Sequence, residues 1–132
     1  MQQRATGTFD VQLTPQPPDA RPEATFLSRL TITKQFHGDL AATSAGQMLA
    51  AMTDVDGSAS YVAIERAAGA LHGRSGSFIL QHYGISDRGS QQLTLAVVPD
   101  SGTGDLSGLS GTMAIHIADG LHTYTFDYAL SG

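Results

Sequence analysis

A block of twelve residues occurs twice in this chain, at positions 69–80 and 104–115. Both copies read Gly-x-Leu-x-Gly-x-Ser-Gly, followed by Ser or Thr and then by Phe or Met. A looser third copy with one extra residue begins at Gly38, so the copies recur every 31 to 35 residues. A repeat of this length matches the size of a β-hairpin and predicts an antiparallel sheet that curls or closes on itself.

Apolar and polar residues alternate along most of the chain, as they do in half-buried strands. The alternation begins with Phe9, Val11 and Leu13, and the last strand follows a strong hairpin turn at Asp119-Gly120. The pattern predicts eight strands with hairpin connections in one domain over residues 1–132. We therefore expect an all-β fold, a single eight-stranded antiparallel up-and-down barrel of lipocalin-like size, because closure removes exposed strand edges.

Two details of this prediction concern strand bounds. After the proline-rich connection, the second strand is expected to resume near Ala24 and to place Phe26 on the same face as Phe36. The repeated blocks are interpreted as long strands over 70–84 and 105–118, each bent at its Gly-x-x-Gly centre, because interior glycines often mark bulges or corners. The interior of the barrel could be filled by large apolar side chains, namely Phe26, Phe36, Phe78, Met113, Phe126 and Tyr128.

The composition excludes several functions. The chain has no Cys, which rules out a disulfide framework, a thiolate nucleophile and zinc sites built on sulfur. Twelve acidic residues outnumber seven basic ones, and the scattered bases do not favour nucleic acid as a partner. No signal peptide and no apolar stretch of transmembrane length is visible. We expect a soluble cytoplasmic protein with no membrane partner.

On several strands, polar residues share the apolar face, and we expect their side chains to point into the barrel. Lys34 is in phase with Ile32 on the second strand, Glu65 is in phase with Tyr61 on the fourth, and His82 follows the apolar phase of the fifth. Because an unpaired buried charge is costly, the simplest arrangement is a Lys34–Glu65 pair beside His82. Perturbed groups in a cavity are candidates for a site. The predicted ligand-binding residues are Lys34, Tyr61, Glu65 and His82, with Glu65 and His82 as the candidate catalytic pair.

Two alternatives stay open at this point. The polar residues could lie at a barrel mouth, where they would only be solvated or paired. A shift of one residue would also exchange the two faces of every strand. In that case Gln35, Arg66, Gln81 and Tyr83 would line the interior, whereas in the first assignment they form an ordinary polar outer face.

No motif indicates a metal or a cofactor. None of the five histidines has the spacing that places two ligands on one face of a helix or strand, and His116 is out of phase with the apolar residues around it. The Ser residues of the repeat lack the Gly-x-Ser-x-Gly pattern of a nucleophile elbow. Residues 99–104 are rich in Gly but lack the Lys of a phosphate-binding loop. We predict neither a metal nor a cofactor.

Several segments together resemble a bacterial family of small uncharacterised proteins with an allene-oxide-cyclase-like barrel. The segments that carry the resemblance are residues 34–48, 61–66, 71–78, 81–82 and 97–106. The resemblance implies an eight-stranded antiparallel barrel in which homo-oligomers are common, and it implies no activity. The plant cyclases convert a fatty-acid epoxide into a cyclopentenone in an apolar cavity, but no catalytic residue of theirs can be placed on this sequence.

Three functions are consistent with these observations. The first is binding of a small apolar or amphipathic ligand inside the barrel. The second is a cyclase or isomerase that acts on a hydrophobic substrate in the same cavity, with Glu65 orienting an oxygen and His82 acting as acid or base. The third is a structural or interaction barrel with a filled core and no ligand. A homo-dimer or higher homo-oligomer is expected in addition.

Overall fold

In the computed structural model, which describes residues 2–24 and 26–131, strands form a closed barrel in which each strand pairs antiparallel with the next and β8 returns to β1. The strands are β1 Gln3–Pro15, β2 Leu27–Gly38, β3 Leu40–Met52, β4 Ala59–Leu71, β5 Arg74–Asp87, β6 Ser90–Val97, β7 Leu109–Ala118 and β8 Leu121–Leu130. Short 3-10 turns occupy Pro22–Ala24 and Gly104–Leu106. The predicted eight-stranded up-and-down architecture is confirmed.

The half of the barrel that carries the β2–β3, β4–β5 and β6–β7 connections is closed by packed side chains, and we call it the closed end. Aromatic rings dominate this half, and Phe78 stacks on Phe126 with their centroids 5.7 Å apart. The Tyr124 hydroxyl lies 2.9 Å from both the Leu40 amide nitrogen and the His37 carbonyl oxygen. These bonds hold the β2–β3 turn against the core. The closed end therefore has the filled interior that an eight-stranded barrel can accommodate.

The opposite half, which we call the open end, leaves inward-facing apolar side chains exposed. Leu93 on β6 continues the inward phase of Leu95, yet Leu93 is 42% exposed and Leu95 only 1%. Leu13 on β1 and Ile117 on β7 also follow the inward-facing alternation of their strands, and they are 46% and 67% exposed. Packing thus stops part of the way along the barrel axis, and an apolar wall faces solvent beyond it.

Strands β6 and β7 separate toward the open end. Within the described residues they pair only at Leu95–Met113 and Ala96–Thr112. By contrast, β3 and β4 pair continuously from Leu40 opposite Leu71 to Met52 opposite Ala59. Residues 90–94 of β6 and 114–118 of β7 therefore lack backbone pairing with each other, and we call this unpaired stretch the β6–β7 gap.

Neither copy of the repeated block is one long bent strand: the first covers the end of β4, a turn and the start of β5, and the second covers a 3-10 turn and the start of β7. Gly73 and Gly108 adopt left-handed conformations, with φ of 80° and 81°, directly before the strands that follow them. The predicted strands over 70–84 and 105–118 therefore start too early. Glycine is suited to a left-handed turn as well as to a bulge, and here it forms the turn.

The second strand also starts later than expected. It begins at Leu27 rather than near Ala24, because the chain from Pro22 to Ala24 forms a 3-10 turn. Phe26 precedes the strand and is 56% exposed, so it does not fill the interior. The other large residues proposed for the interior are buried, namely Phe36, Phe78, Met113, Phe126 and Tyr128.

Candidate functional site

A buried ion pair lies inside the barrel between the closed and open ends. Lys34 Nζ is 2.9 Å from Glu65 Oε2, and the two side chains are 3% and 0% exposed. Ser44 donates a hydrogen bond of 2.7 Å from its hydroxyl to Glu65 Oε1. The pair expected from strand phase is present. Ser44 was missed, although it lies directly opposite Lys34 in the β2–β3 register.

A close approach of two strands supports this arrangement. Gly46 on β3 lies opposite Glu65 on β4. A Cβ added at Gly46 would lie 2.0 Å from the carbonyl oxygen of Ile64 and 2.6 Å from the Cα of Glu65. Only a residue without a side chain fits at that distance. The glycine thus brings β3 close to the base of the Glu65 side chain.

His82 and Tyr61 extend the cluster toward the open end. His82 Nε2 is 2.7 Å from Glu65 Oε2, although the ring is not oriented for a linear hydrogen bond at that nitrogen. The other ring nitrogen, Nδ1, is 3.1 Å from the hydroxyl of Tyr61. Tyr61 is partly exposed, whereas His82 is 2% exposed. The contacts from Glu65 through His82 to Tyr61 therefore connect a buried carboxylate to a residue at the open end.

Gly84 on β5 makes room for the Tyr61 ring. A Cβ at Gly84 would lie 2.6 Å from Tyr61 Cε1 and 3.2 Å from Leu93 Cδ1. Gly84 and Tyr61 are register partners, and so are Gly84 and Leu93. The aromatic ring and the leucine side chain thus meet over a glycine, at the level where β6 begins to separate from β7.

The electrostatics of the cluster favour an ionised carboxylate. Burial alone would raise the pKa of Glu65, but His82, the Lys34 charge and the Ser44 hydrogen bond outweigh burial and lower that pKa to about 2. Burial and the nearby Glu65 charge raise the pKa of Tyr61 to about 12, so its hydroxyl stays protonated. The Lys34 ammonium also lies 5.1 Å and 5.7 Å from the ring centroids of Phe9 and Phe36.

Two depressions on the barrel surface are not lined by this cluster. A groove of about 590 Å³ lies on the outer face of β2 to β5. Its outward-facing lining residues are Arg29, Gln47, Leu49, Val62, Ile64 and Gln81. A second depression of about 330 Å³ lies at the rim near residues 51–60 and 85–87. Lys34, Tyr61, Glu65 and His82 line neither depression. Tyr61 is the partly exposed member of the cluster.

The remaining candidates from the sequence lie outside the barrel. Gln35, Arg66, Gln81 and Tyr83 are exposed and form the outer face, as the first assignment of faces predicted. Arg66 donates a hydrogen bond of 2.8 Å to the hydroxyl of Ser77. His116 is exposed, as predicted from its phase. The inverted assignment of faces is therefore wrong.

Within residues 2–24 and 26–131, no group of three or more His, Asp or Glu side chains is arranged to hold a metal ion. Within the same residues, no helix is long and apolar enough to cross a membrane.

The chain matches a known family and a solved structure. A family profile described as "Protein of unknown function (DUF3224)" matches residues 5–128. A crystal structure of a protein with unknown function from the DUF3224 family of Shewanella oneidensis MR-1 superposes with a TM-score of 0.93 at 48% sequence identity. The match covers 100% of this chain and 99% of that one. No curated protein matches. A profile match over nearly the whole chain and a close structural relative place this barrel in the DUF3224 family, to which the protein belongs.

Proposed function

We propose that the barrel binds a small amphipathic molecule at its open end. The polar group of the molecule would meet Tyr61, with His82 and the Lys34–Glu65 pair beneath it. Its apolar part would lie on the exposed inward faces of β6 and β7, where Leu93 is 42% exposed. The observation that carries the proposal is the buried polar cluster, which ends in a partly exposed tyrosine beside an apolar wall.

The energetics of the cluster support a role beyond folding. A buried ion pair is on average no more stabilising than apolar residues of similar volume, because desolvation offsets the attraction. The closed end shows that aromatic side chains can fill this barrel, as Phe78, Phe126 and Tyr128 do. If packing were their only role, charged and polar groups at mid-barrel would therefore cost desolvation free energy that apolar side chains would not. Such groups with strongly shifted pKa values are candidates for binding or chemistry.

The β6–β7 gap provides a route for the ligand. Backbone pairing stops directly beyond the Leu95–Met113 pair, and the exposed Leu93 lies in the unpaired stretch. Leu93 also packs near Tyr61 above Gly84. An apolar molecule that enters between the strands would therefore meet the phenol hydroxyl without crossing the packed closed end.

A second candidate is acid–base catalysis, as in a cyclase or isomerase, on a hydrophobic substrate held in the same place. The line from Glu65 through His82 to Tyr61 favours it, because a carboxylate that orients an imidazole is a common way to position a proton donor or acceptor. If Glu65→Gln preserves ligand affinity and abolishes turnover, the second candidate gains. The likeness to allene oxide cyclases stays a prediction, as do the homo-oligomer and the cytoplasmic location.

Titration with Nile red, an uncharged apolar fluorophore, tests the binding proposal. We expect saturable binding of one dye per chain to the wild type. Leu93→Arg, which places a charge at the open end, should abolish that binding. Ile85→Arg is the matched control, since Ile85 is similarly exposed at 54% but faces outward on β5. Equal dye binding in the two variants would show that the dye does not use the open end and would contradict the proposal.

A further inference from the structure

The side chains beneath the open end also determine the kind of polar group that can bind there. We propose that the site selects ligands that carry a hydrogen-bond donor, such as aliphatic alcohols, because the Tyr61 oxygen is left as an acceptor. This inference rests on the proposed function and specifies the ligand class for the same site.

The contact between His82 and Glu65 determines which ring nitrogen of His82 carries the proton. His82 Nε2 lies 2.7 Å from Glu65 Oε2, so an unprotonated Nε2 would place a lone pair next to the carboxylate, whereas an N–H places a partial positive charge there. Glu65 is ionised, so the proton belongs to Nε2. Lys34 already balances the Glu65 charge. A neutral ring therefore leaves the buried cluster without net charge, which is the arrangement with the lowest desolvation cost.

The position of that proton determines the direction of the hydrogen bond between Tyr61 and His82. With its single proton on Nε2, the His82 ring has a lone pair at Nδ1 and must accept the hydrogen bond from the Tyr61 hydroxyl, 3.1 Å away. The only proton of the phenol is thereby committed to His82. Within residues 2–24 and 26–131, the Tyr61 hydroxyl makes its hydrogen bond to His82 Nδ1 and to no other group. The phenol oxygen retains lone pairs, so it can accept a hydrogen bond from a ligand but cannot donate one without breaking the contact with His82.

A pair of isomeric ligands tests this inference. Decan-1-ol and methyl nonyl ether have the same atoms and similar apolar bodies, but only the alcohol can donate. Each would compete with Nile red for the wild type. We expect the alcohol to bind roughly 5- to 10-fold more tightly, the difference that one net hydrogen bond supplies. Tyr61→Phe should remove that preference and leave the ether affinity within about twofold, whereas the control Tyr83→Phe, on the outer face, should retain the preference.

The outcomes separate this inference from the proposed function. If alcohol and ether displace the dye equally from the wild type, the site binds apolar molecules but does not select donors, and the inference is overturned. A preference that survives in Tyr61→Phe also overturns it. If Nile red does not bind the wild type at all, the proposed function fails and the inference fails with it. The comparison within the wild type needs no variant to fold.

Discussion

Lys34 and Glu65 form their ion pair across an intervening strand. Lys34 lies on β2 and Glu65 on β4, and β3 runs between them with Ser44 opposite the lysine and Gly46 opposite the glutamate. The 2.9 Å contact is therefore made across the strand that separates the two residues. The serine hydroxyl donates a hydrogen bond to the second oxygen of the carboxylate. The three strands act as one unit that holds a charge pair inside the barrel.

Removal of one partner of this pair should be strongly destabilising. Lys34→Met leaves Glu65 as a buried charge without its ammonium, and we expect a loss of about 3 to 5 kcal/mol in the free energy of unfolding. The double variant Lys34→Met, Glu65→Leu removes both charges and should cost less than Lys34→Met alone. Urea unfolding of the wild type, of Lys34→Met, of Glu65→Leu and of the double variant measures these quantities. A double variant as unstable as the sum of its single variants would show that the two charges do not interact.

The depressed pKa of Glu65 predicts a specific acid sensitivity. Its pKa is about 2 in the fold against a usual value of 4.5, so the stabilisation is fully present above pH 4.5 and is lost as the pH falls toward 2. The shift corresponds to about 3 kcal/mol. Urea unfolding between pH 5 and 2 should show this loss in the wild type and a smaller loss in Glu65→Gln. Parallel pH profiles in the two proteins would contradict the assignment. The effects of other acids with lowered pKa, such as Asp127, are common to both proteins and cancel.

A methyl group at Gly84 should displace Tyr61. The added Cβ would approach Tyr61 Cε1 to 2.6 Å, so the ring must move. We expect Gly84→Ala to cost about 1 to 3 kcal/mol, as overpacking usually does. The cost should fall in a Tyr61→Ala background, where no ring meets the methyl group. Thermal unfolding of the double-mutant cycle measures this coupling, and a cost that is the same in both backgrounds would place the strain elsewhere.

The β6–β7 gap should be visible in amide hydrogen exchange. Peptides that cover 90–94 and 114–118 have one unpaired side, whereas peptides within β3 and β4 are paired on both sides. Unpaired amides exchange through small local motions, so we expect faster exchange at the gap. Exchange at 90–94 as slow as in the centre of β4 would show that the gap is closed in solution.

The sequence predicts the position of the charged residues well because strand phase is a local property. Lys34 and His82 share the phase of large apolar neighbours, and Glu65 shares the phase of Tyr61 and of small alanines, so all three lie inside once the inner face is known. Ser44 carries no such signal, since β3 is rich in Ala, Thr and Ser on both faces. Its role depends on the register between β2 and β3, which a single sequence does not specify.

Other features depend on contacts between distant segments. Leu71 and Leu106 belong to the repeated block, and both are buried next to a turn. The self-similarity of the block reveals the repeat but does not distinguish a turn from a bulge, because both use glycine. The β6–β7 gap arises from the register of two strands joined by a long connection over 98–108. No local pattern in either strand indicates it.

Binding of a small molecule at the open end is the central claim, and native mass spectrometry with solvent extraction tests it most directly. The protein would be purified from its own host as wild type, as Leu93→Arg and as Ile85→Arg. We predict one recurrent small molecule per chain in the wild type and in Ile85→Arg, and its loss in Leu93→Arg. The bare chain mass in all three proteins, over repeated preparations, would contradict the claim and would favour a barrel that acts through its outer surface.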